Sequence, residues 1–249
     1  MQPPAARYVA EALSVHAPVP SRPGSLEAIA HRAGGVRAAH DGHVVVTSYG
    51  CAAGELAACV TAVGLADRSQ LTKLLLNGPP AAVRELTSRL TDAELAPGGA
   101  VRAGGAWWCA ETPERTIVLC EPQCRARLRA VLAREQPRQP SIAVTDRTAD
   151  WATLAVVGRR ARDLLAGLGV YGPSGDPRAV PPVRRHRCGE VAATWLLQSD
   201  DIAWAVLPRA NAPALWRALE RAGRPLALCS VGQEAISRYA LIRRAAAPA

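Results

Sequence analysis

Apolar residues in this chain fall in short runs whose spacing switches between strand and helix periods. Val44-Val45-Val46 reads as a short strand ending at Ser48-Tyr49-Gly50, and Glu55 to Val63 as a helix closed by Gly64. Leu71 to Leu76 predicts a strand, and Pro80 to Leu90 a helix with proline in its first turn. Ala106 to Ala110 and Thr116 to Cys120 predict a hairpin across Thr112-Pro113-Glu114-Arg115, followed by a basic helix from Pro122 to Glu135. Two prolines mark residues 136–140 as a linker. Beyond it come a strand at 153–157, a helix at 160–168, a Gly/Pro loop at 172–182 and a hairpin from 190–197 to 202–207. Helices at 212–222 and 233–243 end the chain. Residues 1–40 are expected to be an irregular N-terminal segment, rich in proline over the first 24.

The same programme is written twice. Asp67-Arg68-Ser69 is followed by Leu74-Leu75-Leu76, Gly78 and Val83-Arg84-Glu85-Leu86. Asp146-Arg147-Thr148 is followed by Leu154-Ala155-Val156-Val157, Gly158 and Ala161-Arg162-Asp163-Leu164-Leu165. Asp and Gly are 11 residues apart in the first copy and 12 in the second. Later, Thr116-Ile117-Val118-Leu119 leads through Pro122 into a helix, as Ala203-Trp204-Ala205-Val206-Leu207 does through Pro208. A unit of about eighty residues is too long for most solenoid repeats. It predicts an α+β fold of two pseudo-repeated halves, 41–135 and 141–249, with mainly antiparallel sheets and a ligand site between them.

Composition narrows the picture. With 49% hydrophobic and 20% charged residues the chain has the make-up of a globular protein. No apolar run is long enough to span a bilayer and no signal-peptide core is seen, so the expectation is a cytoplasmic protein without a membrane partner. The formal charge is +9, yet of 30 basic residues only Lys73 is lysine and the arginines are scattered. With aromatics at 4%, this is not the concentrated basic face of a nucleic-acid binder. The seven cysteines are odd in number and form no CxxC motif, which fits reduced structural thiols; no grouping of four ligands calls for a metal.

Tyr49-Gly50, Glu55, Val63-Gly64-Leu65-Ala66-Asp67-Arg68-Ser69 and Asn77-Gly78-Pro79 together resemble the opening of the glycine cleavage T-protein superfamily. That group includes aminomethyltransferases, YgfZ-type folate-binding proteins and the gamma subunit of heterotetrameric sarcosine oxidase. Asp146-Arg147-Thr148, Gly158, Leu164-Leu165 and Leu215-Trp216-Arg217-Ala218-Leu219 resemble its second half, so the similarity covers roughly residues 44–244. It implies a T-protein-like body, tetrahydrofolate as the cofactor, and either a small-molecule ligand or a protein partner subunit. The chain ends soon after Arg244, so the expected fold lacks the C-terminal barrel of full-length transferases. Where the transferases carry paired aspartates after a Gly-rich turn, this chain has Trp107-Trp108-Cys109. The family's Thr-Gly-Glu turn falls at Ser199-Asp200-Asp201, and its Ala-Arg-Asp motif at Ala235-Ile236-Ser237. The YgfZ signature is absent; Arg187-Cys188-Gly189-Glu190 is a superficial echo.

Asp201 and Glu111 are the candidate catalytic residues. Asp201, beside Asp200 at a hairpin tip, either completes a polar turn or supplies charge to a pterin-like or amine-bearing ligand. Adjacent carboxylates raise one another's pKa, which would leave an acid or base near neutral pH. Glu111 occupies the equivalent hairpin, and the repeat places the two carboxylates face to face across the cleft as a conjecture. Trp107 and Trp108 point to opposite faces of one strand, so either both pack in the core or one does while the other stacks on a flat ring or cation. Tyr49 would line the same cleft under the resemblance, or anchor the chain before a helix. Asp67 and Asp146, alike in both copies, read as turn or cap residues. His186 reads as a solvated loop residue. Two functions remain open: a folate-type cleft used for one-carbon chemistry or for an acid/base reaction on an amine-containing metabolite, and a non-catalytic subunit of an oxidase-type complex.

Overall fold

The computed structural model describes residues 25–40, 43–171 and 182–246. The chain opens with α1 (Leu26–Arg32), the hairpin β1 (Val36–His40) and β2 (His43–Ser48), and α2 (Ala52–Thr61). The first repeat is β3 (Val63–Asp67), β4 (Thr72–Asn77), α3 (Pro80–Thr91), β5 (Ala100–Ala103), β6 (Ala106–Thr112), β7 (Arg115–Cys120) and α4 (Arg125–Glu135). The second is β8 (Ala143–Asp146), β9 (Trp151–Val157), α5 (Ala161–Gly167), β10 (Val183–Cys188), β11 (Val191–Ser199), β12 (Ile202–Pro208) and α6 (Ala212–Gly223). β13 (Leu228–Ser230) and α7 (Gln233–Ala246) follow. The α+β class and the antiparallel sheets are those expected, with β13 against β3 as the single parallel pairing among the described residues.

Two differences from the sequence reading carry structural weight. The segment 26–40 is not irregular: Ser25 caps α1 by accepting from the Ala28 amide at 3.2 Å, and β1 pairs with β2. Val63 and Gly64, assigned to a helix end, instead open β3. Gly64 lies where a Cβ would come within 2.9 Å of the Val231 and Cys59 side chains, so its role is close packing in a strand rather than helix termination. The Gly/Pro loop predicted at 172–182 lies almost wholly outside the described residues.

The repeats also exchange their first strands. One sheet has the order β5-β6-β7-β4-β8 and the other β10-β11-β12-β9-β3-β13, so β8 completes the first repeat's sheet and β3 the second's. The boundary at 136–140 divides the sequence but not the sheets. The two Asp-Arg-Ser/Thr segments are the crossing points. Each Asp accepts a hydrogen bond from the amide two residues on, Ser69 to Asp67 at 2.8 Å and Thr148 to Asp146 at 3.0 Å, closing an Asx turn. The hydroxyls then reach into the other repeat: Lys73 N donates to Thr148 Oγ1 at 3.0 Å, and Thr153 N to Ser69 Oγ at 3.3 Å. At the far ends of β4 and β9, Gly78 and Gly158 abut the incoming chain of the other repeat. A Cβ on Gly78 would sit 2.9 Å from the Ser141 carbonyl, and one on Gly158, at φ +128°, 2.6 Å from that of Ala62.

Four apolar clusters surround this frame. Trp195, Trp216, Leu154 and Leu215 belong to the core beneath α5 and α6, while Val83, Leu86, Trp108 and Val118 form the one beneath α3 and α4. Cys59, Val157, Ile236 and Tyr239 join α2 and α7 to the opposite face of the six-stranded sheet. Between the sheets, Leu75, Ile117 and Leu119 meet Val183, Leu196 and Val206. Ser69→Ala leaves a buried strand amide without its acceptor and should lower unfolding free energy by about 1–3 kcal/mol in urea titration. Gly158→Ala should cost more, because backbone rather than a movable side chain occupies the space. A Gly158→Ala protein as stable as wild type would contradict the strand exchange.

Candidate functional site

The crossing of the repeats leaves a cavity of about 350 Å³ on one side. Its floor is the pair of Asx turns, through Asp67, Ser69 and Thr148; α1 and the β1–β2 hairpin form its walls. Glu27 reaches in from α1 and Arg37 from β1, while Arg125 and Arg209 enter from the segments that follow β7 and β12. Arg125 is bound to Asp146 at 2.6 Å. Arg209 donates from Nε to the Ala149 carbonyl at 2.8 Å and makes longer contacts to the carbonyls of Thr148 and Trp151. Burial pushes the Asp67 carboxyl above the usual range and Glu27 adds to the rise, against the hydrogen bonds from Ser69 and the charge of Arg209. Asp146 goes the other way. Burial is its largest single influence and acts upward, but hydrogen bonds from Thr148 and Arg125 together hold it below its ordinary value. The two copies of one turn therefore hold carboxyls of opposite tendency. A raised, partly exposed carboxyl can exchange a proton with a bound ligand or neutralise an incoming cation.

Lys73, the chain's one lysine, lies beneath this floor with no exposure. Its Nζ donates to the carbonyls of Ser69 and Leu71, both at 2.8 Å, pinning the turn that lines the cavity. Burial, with help from Arg209 and against Asp67 and Asp146, lowers its pKa to about 7. A neutral amine has two N–H bonds, and the two carbonyls use both.

The residues singled out from the sequence lie elsewhere and are engaged. Asp201 is buried: Ser199 Oγ donates to Oδ1 at 2.6 Å, Tyr239 Oη to Oδ2 at 2.8 Å, and Arg243 Nε stands 2.5 Å from Oδ2. The hairpin tip is covered by α7, so this carboxylate fastens a helix and has little capacity left for a ligand. Asp200 is exposed and pairs with Arg162 at 3.8 Å. Glu111 receives a short hydrogen bond from the Thr194 hydroxyl and pairs with Arg115, whose guanidinium lies 5.6 Å over the Trp151 ring. It lines a minor pocket between the sheets, with Arg185, and does not face Asp201. The repeat makes Glu114 the counterpart of Asp201, since Gly78 N donates to the Glu114 carbonyl as Gly158 N does to that of Asp201.

Trp107 and Trp108 do part to opposite faces. Trp108 is core, with Nε1 3.3 Å from the Ala103 carbonyl, and Trp107 packs between the sheets. Neither lines the main cavity. Tyr49 anchors the chain: its amide donates to Glu55 Oε1 at 2.5 Å, while Glu55 Oε2 accepts from Gly232 N at 2.7 Å. Its hydroxyl is buried without a hydrogen-bond partner among the described residues, and burial raises its pKa. His186 belongs to β10, with Nε2 2.9 Å from the Leu168 carbonyl, rather than to a loop. Glu27, Arg37, Arg125 and Arg209 were not singled out; the signal pointing to their cavity was the duplicated Asp-Arg-Ser/Thr.

The positions expected to hold a folate do not suit that role, because the carboxylate meant for the pterin is saturated by Ser199, Tyr239 and Arg243. Among the described residues, no group of His, Cys, Asp and Glu side chains is arranged to hold a metal, and no helix is long and apolar enough to cross a membrane.

No family model matches the chain, and no curated protein matches it in sequence. Solved structures do match. The glycine cleavage system aminomethyltransferase T from Bartonella henselae superposes with a TM-score of 0.67 at 18% identity, covering 83% of this chain and 58% of that one. The chain therefore spans less than two thirds of that transferase. Heterotetrameric sarcosine oxidase from Corynebacterium sp. U-96, in complex with pyrrole 2-carboxylate, matches with a TM-score of 0.55 at 18% identity. That match covers 72% of this chain and 94% of that one. The fold is thus T-protein-like, and the likeness carries the fold alone.

Asp201→Asn keeps the shape but weakens the charge-assisted contacts to Tyr239 and Arg243. It should lower stability by about 1–3 kcal/mol; an unchanged melting curve would mean α7 does not depend on it. Lys73 gives a pH signature. Its folded pKa of about 7 lies below the unfolded value, so the unfolded state binds more protons between the two. Stability arising from Lys73 should rise with pH from about 7 towards about 10.4, the ordinary lysine value. Buried thiols act oppositely, Cys120 and Cys188 being raised to about 11, so the readout is wild type minus Lys73→Met. That difference should grow between about pH 7 and 9; a flat difference would mean Lys73 does not titrate there.

Proposed function

We propose that this chain is a small-molecule protein of T-protein-like fold whose ligand occupies the cavity over the paired Asx turns. On this reading it does not perform folate-dependent aminomethyl transfer. The observation that carries the reading is the cavity itself: two copies of one motif meet at its floor, and Asp67 and Arg209 present charge to it. The departures at the family positions support the second part. Trp108 stands in the core where a carboxylate is needed, and Asp201 is held by α7. Chemistry at this site rests on positioning and on proton exchange by Asp67.

A second reading, a partner-binding subunit, has one observation in its favour. Val36 and Val44 on the β1–β2 hairpin, and Leu241 and Ile242 on α7, are exposed apolar side chains on elements that pack against each other. Native mass spectrometry with reduced folates and with small amines and amino acids separates the readings. The ligand reading expects a one-to-one complex with a small molecule, weakened in Asp67→Asn, which removes a charge facing the cavity and keeps the Asx turn, and folate binding no tighter than micromolar. Submicromolar folate binding would overturn the account of Asp201. Failure of every small molecule, with a stable complex formed only with a second protein, would favour the subunit.

A further inference from the structure

Four charged side chains face the main cavity without forming an ion pair with one another or with any other described residue: Glu27, Arg37, Asp67 and Arg209. Elsewhere Arg68, Arg89, Arg115 and Arg138 each hold a carboxylate within 3.0 Å, and at the cavity itself Arg125 holds Asp146. Both carboxyls line the cavity, and among the described residues neither accepts a hydrogen bond from a cationic side chain. Arg209 donates from Nε and Nη2 to backbone carbonyls, and its Nη1 makes no hydrogen bond among the described residues. Opposite charges in one partly enclosed space that do not close on each other leave room for a molecule bridging them. An anion alone would satisfy the guanidiniums and meet repulsion from Glu27 and Asp67; a cation alone would meet the reverse.

We propose that the cavity takes a small zwitterion, an aminocarboxylate whose carboxylate is held by Arg37 and Arg209 and whose ammonium is held by Glu27 and Asp67. This rests on the reading of the cavity as the ligand site and adds the chemical class. The volume of about 350 Å³ admits an amino acid or an ω-amino acid with a short methylene chain. Ser69 is already used, its Oγ accepting from Thr153 N and its hydroxyl drawn to Asp67, whereas Gln70 Nε2, which meets Gln233 Oε1 at 3.4 Å with one N–H, keeps a second for a ligand carboxylate.

The test is isothermal titration of the full chain with glycine, β-alanine, γ-aminobutyrate and ε-aminocaproate, each beside the matched carboxylate lacking the amine and the matched amine lacking the carboxylate. The expected result is one chain length that binds best, with both single-charge analogues weaker by about tenfold or more. Asp67→Asn keeps the Asx turn, because the amide oxygen still accepts from Ser69 N, and should weaken the aminocarboxylate while sparing the plain carboxylate. Arg37→Gln, on an exposed strand, should weaken both without changing the melting temperature. A carboxylate that binds as tightly as its amino analogue would overturn the zwitterion and leave an anion site. Binding of a reduced folate in the same cavity, with no aminocarboxylate bound at millimolar concentration, would overturn this inference and keep the ligand reading. Silence from every compound would sink both.

Discussion

Two backbone amides, those of Lys73 and Thr153, donate to the hydroxyls of Thr148 and Ser69 across the junction of the repeats, and the rest of the molecule is arranged around that reciprocity. A buried strand amide needs an acceptor. Here each repeat obtains one from a turn belonging to the other, and the turn is rigid because its Asp closes on its own backbone. Neither repeat can complete its sheet alone, since β3 and β8 have crossed over. The close approach of Gly78 and Gly158 to foreign backbone follows from the same exchange. The repeats are therefore one folding unit despite the proline-marked linker, and what happens at the crossing is felt in both sheets.

The cavity is a by-product of that crossing. Two turns related by a pseudo-twofold cannot fill the space above themselves, and the chain closes it incompletely with α1 and the β1–β2 hairpin. On the other side Lys73 fills the gap, its amine carried to the Ser69 and Leu71 carbonyls at the cost of desolvation. A second departure from symmetry lies in the carboxyls: Arg125 holds Asp146, whereas among the described residues no cation is paired with Asp67. One copy of the motif has become structural and the other faces the cavity.

Asp201 shows how tertiary contacts reassign a residue. A carboxylate at a hairpin tip looks exposed, and so available, when the hairpin is considered alone. Covered by α7 and joined by Ser199, Tyr239 and Arg243, it is a tether. Glu111 was likewise drawn off by Thr194 and Arg115, which come from the neighbouring sheet and from the same hairpin. In both cases the partner that decides the role is remote in sequence or on another element.

The hydrophobic periods and turn residues determined the helices α3, α4 and α6, the β6–β7 and β11–β12 hairpins and the α+β class, because these depend on spacing within a dozen residues. The repeat in Asp-Arg-Ser/Thr, read as a turn signal, also survived intact, since an Asx turn is closed by its own chain. What the sequence did not determine was membership: β3 was taken for a helix end because Gly64 serves both roles locally, and only Val231 and Cys59 packed against it decide between them. Likewise β8 and β13 are short and find their identity only in a neighbour. The cavity belongs wholly to the tertiary structure. Glu27, Arg37, Asp67 and Arg209 come from four separated segments, and charge has no period along a chain; only the tertiary structure brings them to one cavity, where none of them forms an ion pair among the described residues.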